Sequence, residues 1–156
     1  MKKIILIGFV LCSFGLRAQY TVYTSKNSAL VVLGDKFSRL SFFKVNPNHI
    51  KSANILKAEN AMPIYGEKAK NGALEITLKD GVRMLNFDEI FSKYNISRQY
   101  QNLPLVVNKS FVKEKENWLI DESVITSVKV LDEQPFVEPV LLPKGKAIYI
   151  EVMETK

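Results

Sequence analysis

The chain has 156 residues and carries 22 lysines and arginines against 16 aspartates and glutamates, a formal net charge of +6. Its one cysteine (Cys12) and one histidine (His49) make a poor basis for a structural zinc site, which draws on four ligands. The length fits one domain, or two very small ones, with enough chain to bury a core.

Met1-Lys2-Lys3 precedes an apolar run from Ile4 to Gly15, followed by Leu16-Arg17-Ala18-Gln19. A basic start, an apolar stretch of about 7–15 residues and a small residue at the cut define a secretory signal. The run falls short of the roughly 20 residues of a spanning helix. Residues 1–18 are therefore expected to be a signal peptide, cut after Ala18 or, alternatively, after Gln19. A lipid anchor on Cys12 is not expected, because Leu11 stands where that chemistry wants a small residue. Removing Lys2, Lys3 and Arg17 leaves 19 basic and 16 acidic residues, a charge of +3. That bias is too weak to imply a nucleic-acid partner. No other segment is long and apolar enough to span, so the expectation is an exported chain, 19–156, without a transmembrane segment. With no cysteine left it must hold by packing alone.

Tyr20–Thr24 alternates and suits an edge strand. Ala29–Leu33 is a continuous apolar run ending at Gly34, the pattern of a strand covered on both faces. Asn46-Pro47-Asn48-His49 opens a helical turn, with Asn46 as cap and Pro47 in the first helical position. A strand at Lys51–Leu56 and a helix at Glu59–Tyr65 follow, the latter ended by Gly66. Ala73–Lys79 alternates, with Leu74, Ile76 and Leu78 on one face, and Asp80-Gly81 turns the chain. Phe87, Ile90, Phe91 and Tyr94 form a helical stripe with Asn86 and Glu89 as a capping pair. A short turn at Ser97–Gln101 leads to strands at Leu105–Asn108, Thr126–Leu131 and Ala147–Met153, with Asp121-Glu122-Ser123 opening a helical turn between the first two. In the last strand Ile148, Ile150 and Val152 face inward. Pro135, Pro139 and Pro143 make the connector before it irregular.

Self-comparison orders these elements. Leu30-Val31-Val32 recurs as Leu105-Val106-Val107, and Ile50, Ser52 and Leu56 recur as Ile125, Ser127 and Leu131, all 75 residues later. Lys70, Ala73 and Ile76 recur as Lys144, Ala147 and Ile150, 74 later. The expected fold is α+β: two pseudo-repeated β-α-β units, about 29–79 and 104–153, forming one compact domain with a connecting helix. The units either share a sheet or pack against each other pseudo-symmetrically.

The first unit carries Ile50-Lys-Ser-Ala-Asn-Ile-Leu-Lys57, then Ala61, Tyr65-Gly66, Lys68, Asn71-Gly72 and Leu74-Glu-Ile-Thr-Leu-Lys79. This resembles the plug domain of TonB-dependent outer-membrane receptors of the Bacteroidetes type. The resemblance covers about residues 29–79 and extends more weakly to the second unit. Leu78 stands where the family has a second threonine, and Ala69 where it has a glycine. No barrel strands follow, so the resemblance implies a free-standing plug-like module; transport and substrate are not carried over.

Chemistry-bearing motifs are sparse. His49 reads as a surface or capping residue, and no nucleophile elbow or phosphate loop is present. Glu114/Glu116 and Asp121/Glu122 fall in charged stretches that read as solvated. No catalytic, cofactor or metal residues are assigned, and no enzyme is expected. Tyr65, Gly66, Asn71 and Gly72 read as structural turn residues, with a recognition loop as the lesser reading. Arg98, Tyr100 and Gln101 form a polar-aromatic candidate for partner contact. Trp118 is either core or an exposed anchor. The expected function is a non-enzymatic binding or adapter module of the cell envelope, in the periplasm or at the outer membrane's periplasmic face, contacting another envelope protein. The alternative is a small periplasmic carrier holding a nutrient between its two halves.

Overall fold

The computed structural model describes residues 22–23, 25–132 and 145–153. The expected signal and the proline-rich connector at 133–144 lie outside the described residues. The fold is α+β, built on three sheets. The first sheet contains β2 (Leu30–Leu33), β3 (Lys36–Arg39), β5 (Ile50–Leu56) and β6 (Ala73–Leu78), in the order β3-β2-β6-β5. The second contains β1 (Val22–Tyr23), β8 (Leu105–Val107), β9 (Ser110–Val112), β11 (Ile125–Leu131) and β12 (Ala147–Val152), in the order β1-β9-β8-β12-β11. A three-stranded central sheet joins β4 (Phe43–Lys44), β7 (Met84–Asn86) and β10 (Leu119–Asp121) in the order β4-β10-β7. The units thus do not share one sheet.

The two outer sheets are wired alike. In each, a hairpin pairs antiparallel, its first strand runs parallel to the last strand, and that strand pairs antiparallel with a seven-residue edge strand. Leu56 lies opposite Ala73 as Leu131 lies opposite Ala147, and both ladders shift register at the start of the edge strand, between Ile50 and Ser52 and between Ile125 and Ser127.

The hairpins correct the sequence alignment by one residue. Leu33 pairs with Lys36 across one turn and Val107 with Ser110 across the other, so Val31-Val32-Leu33 matches Leu105-Val106-Val107. The identical Leu-Val-Val triplets therefore show opposite faces to the interior. Leu30 and Val32 sit with Ala61, Ala69 and Ala73, while Val31 faces the central sheet with Phe43, Met84 and Leu119. In the second triplet it is Leu105 and Val107 that face inward, with Leu85 and Ile120. A one-residue slip in a strand exchanges its two faces.

Alternation divides the central sheet between the two cores. Leu119 and Phe43, neighbours in the ladder, join the first core; Ile120 and Leu85 join the second. Helix α1 (Ala58–Tyr65) covers the outer face of the first sheet through Ala61 and Tyr65. Helix α2 (Phe87–Lys93) buries Phe87, Ile90 and Phe91 in the second core. Its start is fixed by a reciprocal capping box: Glu89 N donates to Asn86 Oδ1 at 2.8 Å and Asn86 N donates to Glu89 Oε2 at 2.7 Å. Among the described residues no helix is long and apolar enough to cross a membrane.

Candidate functional site

Tyr65, Gly66, Asn71 and Gly72, with Asn54 and Glu75, build one corner of the first sheet. Tyr65 donates its hydroxyl to Glu75 Oε1 at 2.6 Å, and Asn54 Nδ2 donates to Glu75 Oε2 at 2.8 Å. The tyrosine hydroxyl holds the Glu75 carboxyl below its usual range, helped by Asn54, and the hydrogen bond to Glu75 raises the Tyr65 phenol. Gly66 ends α1 with φ +66°. Gly72 has φ +86°, and a Cβ there would lie 2.7 Å from the Leu56 carbonyl oxygen. Asn71 is exposed beside it. The tight approach of Gly72 lets the chain turn directly onto β6.

Arg98, Tyr100 and Gln101 separate. Arg98 and Gln101 line a groove of about 540 Å³ along α2, shared with Arg83, Asp88, Ser92 and Lys93. Gln101 Nε2 donates to Asp88 Oδ1 at 2.9 Å, and Glu122 pairs with Lys93 and Arg83. Tyr100 turns its ring against the second core, with Lys146 Nζ 5.6 Å from the ring centroid. Trp118 is only 1% exposed and meets Phe42 edge-to-face at 6.3 Å, so it belongs to the core and offers nothing to a partner.

Asp121 departs from its solvated reading. It is 1% exposed and accepts from Ser123 N at 2.9 Å, from Asn46 N at 3.2 Å and from His49 Nδ1 at 2.7 Å. Burial pushes its carboxyl up, but the donors of Ser123, Asn46 and His49 outweigh burial and hold it below its ordinary value. The structural role follows from position. Asn46 and Asp121 each cap the short turn that opens an edge strand, each accepting from the backbone N–H two residues on. His49 crosses from the first turn to the cap of the second. Among the described residues its other ring nitrogen has no hydrogen-bond partner, and no three metal-ligating side chains gather.

The surface that sequence reasoning missed is β5. Residues Lys51 to Ile55 are exposed in succession, so neither face of the strand is covered there, and Ile55 is 80% exposed. Among the described residues β5 pairs only with β6, leaving the N–H and C=O groups of its other side unpaired. The matching strand of the second sheet differs. Val128 and Val130, which hold the ladder positions of Ala53 and Ile55, pack against the second core, where Tyr94, Ile96, Tyr100 and Leu103 also lie. The signal was present: between Lys51 and Leu56 only Ile55 is large and apolar, whereas β11 has Val128 and Val130 in the same span.

No known protein family, curated protein or solved structure matches this chain.

Proposed function

We propose that this chain is an exported, non-enzymatic binding module of the bacterial cell envelope that contacts another envelope protein through the open edge of its first sheet. The observation that carries the reading is β5: seven residues long, exposed over Lys51–Ile55 and, among the described residues, unpaired along its outer side. An edge of this kind is a template for strand addition. The likeness of about residues 29–79 to a receptor plug supports an envelope setting, and the basic-apolar start supports export. Duplication of a single unit accounts for the shared wiring of the two outer sheets.

The carrier reading draws less support. Where the two units meet, Phe42, Leu85, Trp118 and Ile120 are buried; one groove of about 540 Å³ runs along α2, and another of about 550 Å³ lies between the β2–β3 turn, the end of β6 and β7. The test is site-specific photocrosslinking in cells, with the crosslinker at Ile55, at Phe37 and at Arg98. A discrete adduct from Ile55 is expected. Silence at all three positions counts against the module having a protein partner.

A further inference from the structure

We infer that the partner of this edge is an extended segment that adds to the first sheet beside β5 and places acidic residues opposite Lys51 and Lys57. This rests on the adapter reading above and names the chemistry of its partner. From Ile50 to Ala58 the only charged side chains are those two lysines, both exposed. They stand six positions apart, about 20 Å along an extended chain. Between them Ala53 and Ile55 point to one face, that of Leu74 and Ile76, while Asn54 is tied to Glu75 on the other. An added strand therefore meets Ala53 and Ile55 on one face, flanked by Lys51 at the register shift that opens β5 and by Lys57 where the strand passes into α1. Its complement is a short apolar stretch with an acid at each end. Main-chain hydrogen bonds supply affinity in such additions, and alternate side chains supply selectivity.

A second copy of this chain is the poorer occupant. An antiparallel self-ladder centred on Asn54 sets Lys51 directly opposite the second copy's Lys57, at both ends. Centred on Ala53, it brings the same lysines together diagonally. Opposed like charges destabilise a strand pair and opposite charges stabilise it, and edge lysines are a common guard against self-pairing.

The experiment uses the purified, isotope-labelled protein and two end-capped peptides, Asp-Thr-Val-Thr-Val-Thr-Asp and the same peptide with lysine at both ends. The acid-ended peptide is expected to shift the amide signals of residues 50–57 and slow their hydrogen exchange. It should bind roughly fivefold tighter than the lysine-ended peptide at low salt, with the gap narrowing as salt rises. In a Lys51→Glu/Lys57→Glu variant, which touches only exposed side chains, the preference should reverse. Equal binding of the two peptides, shifts confined to other residues, or a dimer dispersed by Ile55→Asp would each overturn the inference. Crosslinking separates the two levels. An adduct at Ile55 alongside equal peptide binding rejects the acidic partner and keeps the adapter; silence at every crosslinker position rejects both.

Discussion

His49 Nδ1 lies 2.7 Å from Asp121 Oδ2, joining the turn that opens β5 to the turn that opens β11. Asp121 is buried and holds three donors at once, so removing its carboxylate leaves the backbone N–H groups of Asn46 and Ser123 without their acceptor. Asp121→Ala should cost about 3 kcal/mol, read from urea denaturation at neutral pH. His49→Ala removes one donor while the other two remain, and should cost about 1 kcal/mol.

The same carboxylate sets an acid limit. Its folded-state pKa is depressed, so as pH falls the unfolded chain takes up this proton first. The stability it contributes is complete above the ordinary carboxylate range near pH 4 and is lost as pH falls below that. Asp121→Asn, less stable at neutral pH, should show a shallower decline below about pH 4. Denaturation midpoints measured from pH 6 to pH 2.5 check this, and parallel acid limbs in the two proteins would refute it.

Gly72 and Gly34 both have positive φ, but only Gly72 is crowded, by the Leu56 carbonyl; nothing lies within 4 Å of a Cβ at Gly34. Gly34→Ala should cost about 1 kcal/mol through its backbone conformation alone. Gly72→Ala should cost at least about twice that, because a backbone oxygen of β5 must shift as well. Thermal denaturation of the two variants side by side decides the order.

Ile55 and Val130 occupy corresponding places in the two outer sheets, yet only Val130 packs against a core. Ile55→Asp should change stability by no more than about 0.5 kcal/mol, whereas Val130→Asp should cost about 2 kcal/mol or more. Similar losses from both substitutions would mean that β5 is not open in solution.

The capping box of α2 offers a graded test. Asn86→Ala should cost about 1 kcal/mol. Glu89→Gln keeps an acceptor for Asn86 N but discharges the pair with Lys36 at 3.4 Å, and should cost about 0.5 kcal/mol or less. Chemical denaturation resolves the two.

Long elements with their own pattern were legible in the sequence. Asn86, Glu89 and the Phe87/Ile90/Phe91 stripe specify α2, and the alternation of β6 and β12 specifies their inner faces. The short strands were not. Phe43–Lys44 has too few residues to show a period, and Lys36–Arg39 has a cation at each end and no apolar alternation; both depend on partner strands distant in the chain. Ladder register sets Ile50 and Ile125, and Ala73 and Ala147, at like places in the two outer sheets, whereas the like place of Leu105 is Val31 and not Leu30; Leu-Val-Val is apolar at every position and does not reveal which face turns inward. Asp121 read as solvated because Glu122 follows it; its burial arises from donors brought in from Asn46 and His49, more than 70 positions away. The openness of β5 left a fainter trace: Ile55 stands alone where β11 has Val128 and Val130, a difference that shows only when the two strands are set side by side.

The central sheet bears on how the chain is made. A ribosome delivers Phe43 early and Leu119 late, yet both complete the same small ladder and close the first core together. Until about three-quarters of the chain has emerged, Val31, Ile76 and Met84 have no lid. The first unit therefore waits, partly assembled, for the second, and a chain cut short before β10 should be a substrate for proteases.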